Sequence, residues 1–484
     1  MLGDIKMKKI HIIFAVPLLF ALGSCNKNFE EINTNPNGLS KVTPANLLAP
    51  ALKKSVEYGM SRSQRVNNEL MQVTINMGDG DGKIFRYEIR SSEADYLYNN
   101  LFLQLYNFKD IYDLAEKADN KSYMGVSLIC QAWLFSILTD TYGDIPYSNA
   151  LQGKQLNISP EFDSQESIYK GLFQSLDSAN VYLKGAANLD NGSDPVYGGN
   201  VSLWRKFGNS LYLRLLMRVS EKATMNAPAQ IRKMIDEKAA DYPVIANNKE
   251  SAVLRWTGTA PYTSPFSTWR PGDWYAPKLS SFFVDNLNEW SDPRIQKWAS
   301  LYDGEYAGIP SGYPIGTNPV GKSALLTSLM TEPLLGNILN YSEIQFVLAE
   351  AAVKGWIGTK TAKQYYEEGT KNAIEMWSLE MPKDYLNGQH IVWNESASQS
   401  RKMQLIHQQK YYSLFFTDMQ SWFEFRRTGY PELPILSGHL NNGVMPARLN
   451  YPVYIQSANP INYKAAVQNQ GPDNINTLVW WQKP

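Results

Sequence analysis

The sequence predicts a mainly α fold, an irregular scaffold of helix pairs interrupted by one long loop-rich stretch. Apolar residues recur at three-and-four spacing through about 44–240 and again through 340–430. The chain has 484 residues, 44% of them hydrophobic, which is ample for a large core. Between about 247 and 340 the helical period gives way to Gly, Pro, Ser, Thr, Trp and Tyr, and a stretch that long without helices is where function usually sits.

The first helix is read from ANLLAPALKKSVEYGM, opened by Thr43-Pro44. ADYLYNNLFLQLYNFKDIYDLAEKA, VSLICQAWLFSILTDTYG, SIYKGLFQSLDSANVYLKGA and WRKFGNSLYLRLLMRVSE follow. Asp163, with Glu166 three residues on, marks the start of the fourth, and Gly143 and Gly185 mark stops. After position 340, YSEIQFVLAEAAVKGW and TAKQYYEEGTKNAIEMW form a further pair, and one helix is read from Gln399 to about Thr428. In tetratricopeptide units a small residue lets two helices approach while an aromatic fills the groove beside it. Ala349, Ala351, Gly355 and Tyr365 fit that scheme loosely, but no repeat of about 34 residues is present, so the scaffold is tetratricopeptide-like and irregular. Tyr430 to Pro484 reads as a loop-like tail ending in LVWWQKP.

From Met7, where the true start is placed, MKKIHIIFAVPLLFALGSC has a basic start, an apolar run and small residues at its end, so 1–24 reads as a signal peptide. The apolar run Ile10 to Leu22 is shorter than the roughly 20 residues of a membrane span, and Pro17 interrupts it. Leu22-Gly23-Ser24-Cys25 matches the box after which a lipoprotein peptidase cuts, leaving Cys25 as an acylated first residue. Each buried acyl CH₂ contributes roughly 0.8 kcal/mol, so several chains anchor a protein essentially for good. Residues 25–43 are then a polar, Asn-rich tether, and 44–484 a single domain.

Lys and Arg (46) balance Asp and Glu (46), which leaves no electrostatic footprint for nucleic acid or anionic lipid. Cys130 lies in an apolar helical run and reads as core, so no disulfide framework exists. Past the signal the histidines are His390, His407 and His439, with no HExxH and no GxSxG, so serine, cysteine and zinc hydrolases lack their parts. A glycosidase needs only two carboxylates and is not excluded. GTNPVGKS, Gly316 to Ser323, satisfies the phosphate-loop pattern but follows turn-rich GEYAGIPSGYPI where a strand is required, and Pro319 removes an amide.

The aromatic balance, 13 Trp and 29 Tyr against 18 Phe, favours rings with polar edges. Trp133, Trp204, Trp377 and Trp422 fall within helical periodicity and read as core. The run WTGTAPYTSPFSTWRPGDWYAP instead sets Trp256, Trp269, Trp274 and Tyr275 among turns, with Arg270 and Asp273 beside them as hydrogen-bonding groups. Sugars present flat C–H faces rimmed by hydroxyls, and this mixture suits them. MGDGDGKIFRYE supplies a second polar loop with Asp79, Asp81 and Arg86. Its aspartates suggest calcium, but position five would be Lys83 and the closing Glu is missing, so an EF-hand is excluded while a looser calcium site is not.

WFEFRRTGYPEL (Trp422 to Leu433), TYGDIPYSNAL, FGNSLYLRLLMRVS, SDPRI at Ser291 to Ile295, EIQFVLAEAAVKGW and the terminal Val479-Trp480-Trp481 together resemble the SusD/RagB family, in its SusD-like nutrient-binding branch. Arg426 and Arg427 follow Glu424 at a helix end, with Gly429 as a left-handed cap before Pro431, so this signature is read as structural Arg–Glu pairing. The resemblance implies a helical scaffold with a ligand-facing loop part, lipid anchoring on the outer face of an outer membrane, and docking on a SusC-like TonB-dependent transporter. It also implies an early loop and a central aromatic segment facing one ligand. The expected protein is a non-enzymatic receptor that captures an oligosaccharide for import. Peptide capture, as in RagB-like receptors, and a surface glycoside hydrolase are the alternatives.

Overall fold

In the computed structural model, which describes residues 42–484, most long helices begin on a side chain that takes up a free backbone amide. Helix α1 spans Pro44–Arg62, α2 Glu93–Lys117 and α3 Lys121–Tyr142, the last capped by the Asn120 side chain and closed by Gly143 at φ 83°. Ser164 caps α4 (Gln165–Leu183) and Asn200 caps α5 (Val201–Arg218). In the loop-rich stretch α6 (Ser281–Glu289) starts on Ser280. Helix α7 (Tyr341–Val353) starts on Asn340, α8 (Ala362–Glu375) on a Thr361–Gln364 capping box, and α9 (Gln399–Ser413) on Ser398. Helices α10 (Gln420–Thr428) and α11 (Pro460–Gln470) follow, and shorter helical turns lie between these elements.

Three readings are corrected. The cap of α4 is Ser164 and not Asp163, whose carboxylate instead accepts the amides of Tyr147 and Ser148. The helix read from Gln399 to Thr428 is two helices, because Phe416 and Asp418 adopt positive φ (59° and 36°) in the connection. That turn sends Phe416 into the core. The tail after Tyr430 contains α11, which buries only Ala466 and Gln470 and so shows no apolar stripe. The signal peptide, Cys25 and all but the last two residues of the tether lie outside the described residues.

Consecutive helices pack in series from α1 to α5; α5 then meets α7, which packs on α8 and α9. Helix α3 is long and apolar enough to cross a membrane, yet 89% of that apolar window is buried, with Cys130 and Trp133 inside. It is the central helix of the core. On α8, a Cβ at Gly369 would come 2.9 Å from the ring of Phe346 on α7. This is the small-against-aromatic approach expected of the pair, placed at a different residue. Arg214 on α5 holds Glu343 on α7 through two bonds of 2.6 Å, both side chains buried.

The signature phrase ties three helices together. Arg427 on α10 donates to both oxygens of Glu350 on α7 (2.8 and 2.6 Å) and to Glu424, while Lys410 on α9 reaches Glu424 at 3.2 Å. Gly429 ends α10 at φ 75°. Burial alone would raise the Glu350 carboxyl, but Arg427 outweighs it and holds the group at about 2.

Of two short ladders, the first ties the loop-rich stretch to the scaffold and the second pairs the two ends of that stretch with each other. β1 (Thr74–Ile75) pairs antiparallel with β3 (Lys278–Leu279), and β2 (Ala252–Val253) with β4 (Asn337–Leu339). Pro44–Pro484 forms one compact unit.

Candidate functional site

Pro271 opens a one-turn helix, Pro271–Tyr275, of which Trp274 is buried and the other four residues are exposed. Trp274 points inward and is 1% exposed, its Nε1 donating to the Leu326 carbonyl at 2.9 Å and its ring stacked on Phe416. Phe266 is fully buried beside it. Trp269 and Tyr275 flank this anchor at 37% and 47% exposure. Trp269 stands edge-on to Phe266 (centroids 5.1 Å apart, 80° between planes), which fixes the indole without covering it. Between the two aromatics Arg270 and Asp273 form an exposed bidentate pair at 2.8 and 3.0 Å.

Of the predicted aromatics, Trp256 and Trp274 are therefore core posts and offer no face to a ligand. Trp256 is 1% exposed and its Nε1 lies 3.2 Å from Met60 Sδ. Arg86 is buried as well. Its Nη1 donates to the carbonyls of Tyr313 (2.6 Å) and Gly438 (2.8 Å), its Nη2 to Asp79 (2.8 Å), and its guanidinium lies 4.4 Å from the centre of the Tyr313 ring. Arg86 staples three loops. A Cβ at Gly438 would fall 1.9 Å from the Tyr313 carbonyl, so only glycine lets these backbones meet.

The oxygens around the early loop are already engaged. Asp79 accepts from Arg86 and from the Gly316 amide (2.8 Å), and the Lys83 ammonium lies on the carbonyls of Asn76 (3.0 Å) and Met77 (2.7 Å). Of the two aspartates expected to serve calcium, Asp79 is held by Arg86 and Gly316 and Asp81 stands clear of those contacts. The phosphate-loop lookalike is also explained. Gly316 donates to a carboxylate, and the turn after Ser323 is the short 3₁₀ segment Thr327–Thr331.

Strand register brings the early loop to the aromatic segment. Ile75 lies opposite Lys278, so the chain leaves β1 into residues 76–83 beside the end of the one-turn helix. Lys278 donates to the Tyr275 carbonyl (2.8 Å) and bridges to Ala324, which adds the 313–322 loop to the same neighbourhood. Tyr313, Lys278, Gly438 and Phe416 escape a reading of the sequence because each acts on a partner far along the chain.

A second cluster draws notice for its chemistry. Glu350, His407 and Glu424 place donor atoms within 4.8 Å of one another, all buried. Arg427 and Lys410 already supply the positive charge there, and burial pushes the His407 imidazole down to about 4, so it is neutral. The cluster is an ion-pair network.

A SusD-like family model, described as starch-binding and associating with outer membrane, matches residues 36–452. No curated protein matches the chain. Among solved structures it is similar to a chitin-binding SusD homolog from Flavobacterium johnsoniae (TM-score 0.79, 24% identity, covering 91% of this chain and 98% of that one). It is also similar to a SusD homolog from Bacteroides uniformis ATCC 8492 (TM-score 0.78, 24% identity, 90% and 99%). A SusD homolog from Bacteroides fragilis NCTC 9343 aligns at TM-score 0.74 and 23% identity, covering 92% and 100%.

Proposed function

The chain belongs to the SusD-like family, and from that membership we propose that it is a cell-surface lipoprotein that binds an oligosaccharide and delivers it to a SusC-like TonB-dependent transporter. The observation that carries this reading is the pair of exposed aromatics, Trp269 just before the one-turn helix and Tyr275 at its end, with Arg270 and Asp273 between them in the chain. Such rings offer the flat C–H face of a sugar an apolar surface with a polar edge beside it. The exposed ion pair supplies donors and acceptors for the hydroxyl rim. The starch-binding description of the family and the chitin-binding name of the Flavobacterium johnsoniae homolog support a glycan over a peptide.

Binding proceeds without cleavage. A glycosidase sets two carboxylates on opposite sides of the scissile bond, whereas Asp273, the carboxylate of the platform, is clamped by Arg270. Closure of the receptor over its transporter would then trap the ligand.

Affinity electrophoresis of the mature protein through gels containing starch or glycol chitin, with a reducing-end assay alongside, tests the reading. Retardation by one of these glycans is expected, abolished in a Trp269→Ala/Tyr275→Ala double variant, with no new reducing ends. Retardation unchanged in the double variant overturns the site, and release of reducing ends overturns the non-enzymatic role. Retention by peptide ligands alone favours the peptide alternative.

A further inference from the structure

Behind the turn that joins α9 to α10 lies a cavity of about 10 Å³, lined by α1, α3, β4 and the turn itself, and every lining residue is buried. Three of those residues each bury one polar side-chain atom that meets no hydrogen-bond partner within the protein: Trp133 Nε1 on α3, Asn337 Oδ1 on β4 and Asp418 Oδ2 in the turn. From this convergence we infer that the cavity is a binding site for one water molecule, which bridges the three elements as part of the folded structure.

The other polar atoms of these side chains are engaged. Asn337 Nδ2 donates to the Thr417 hydroxyl (2.6 Å), and Asp418 Oδ1 accepts from the Met419 amide and from Gln420 Nε2 (2.9 Å). The indole of Trp133 carries a single polar atom, so its N–H has no alternative outlet. Leaving one donor and two acceptors bare in a buried place is costly, which is why buried polar atoms are as a rule paired with protein or with ordered water. Asp418 also keeps φ 36°, a conformation that persists only where its surroundings fix it. A bridge from its second carboxylate oxygen to α3 and β4 supplies that fix.

Donors and acceptors together select the occupant. The Trp133 N–H fills one lone pair of a water, whose two hydrogens then go to Asn337 Oδ1 and Asp418 Oδ2. Three hydrogen bonds are the usual complement of a buried water. A metal ion would satisfy the two oxygens but meet the positive hydrogen of the indole, and an anion would meet a carboxylate. Size agrees, because a single water needs roughly 10–15 Å³ and the cavity has room for one and for nothing larger. Phe416 lines the cavity and stacks on Trp274 with 6.2 Å between centroids, so the site stands behind the support of the aromatic segment. It does not depend on what that segment binds.

The experiment has two arms. A high-resolution crystal structure of the mature protein should show one peak within hydrogen-bond distance of all three atoms; no such peak, or a peak held at metal–oxygen distances, overturns the proposal. The second arm uses Gly59 on α1, which lines the cavity and where a Cβ would lie 3.3 Å from Asp418 Cβ. Gly59→Ala and Gly59→Ser add the same crowding and both intrude on the water, but only serine brings a hydroxyl in its place. Helix propensity favours the alanine variant. In urea unfolding Gly59→Ser should nonetheless show a folding equilibrium constant about tenfold larger than Gly59→Ala, as recovery of a hydrogen bond to a buried polar group implies. An alanine variant at least as stable as the serine variant overturns the proposal.

Discussion

His407 carries no charge in the folded protein because burial outweighs the pull of Glu350 and Glu424, and this neutrality has a pH signature. The unfolded chain takes up a proton on this imidazole as pH falls below 6.5, while the folded protein resists until about 4. Stability therefore falls as pH drops through that window, by about 1.4 kcal/mol per pH unit, and is insensitive to this group above it. Urea unfolding of the wild type against His407→Gln, compared between about pH 7 and about pH 4, should show the wild type losing more stability on acidification. A constant difference across that range contradicts a neutral His407. Arg427→Met leaves Glu350 and Glu424 buried against fewer cations and is expected to cost about 3–5 kcal/mol in the same assay, with glycan retention of the folded fraction unchanged. At this scale the Arg–Glu character of the signature was legible, because Glu424 and Arg427 lie one turn apart. Which tryptophans face solvent was not. Trp269 and Trp274 stand among the same turn residues, and their directions are decided by Phe416 and Leu326, which sequence neighbours do not reveal.

Elements with a continuous buried stripe, from α1 to α5 and α7 to α9, follow the periodicity of the sequence. Departures occur where an element has no stripe, as in α11, or where a tertiary demand breaks one, as between α9 and α10, where Phe416 leaves the helix to join Phe266 and Trp274. The convergence of the early loop on the aromatic segment could be argued only from the family likeness; the structure supplies its physical cause in β1–β3 pairing and the Arg86 staple. Arg86→Leu removes three hydrogen bonds at once and leaves the carbonyls of Tyr313 and Gly438 without their donor. Hydrogen exchange should then quicken in 76–83 and 313–317 while the helices keep their protection. Equal protection in both proteins would mean that the staple does not order these loops.

For the whole molecule, the proposed anchoring rests on the Leu22–Cys25 box, since a chain of zero net charge offers anionic lipid no electrostatic hold. Cys25→Ala is expected to move the protein from the membrane fraction to the soluble one while its glycan retention stays the same; retention in the membrane would show another means of anchoring. Capture itself is tested most directly by hydroxyl-radical footprinting of the mature protein with and without a retained oligosaccharide. Protection should rise at Trp269 and Tyr275, with the buried Trp256 and Trp274 unchanged. Saturating ligand that leaves both exposed rings as reactive as before would contradict an aromatic platform as the point of capture.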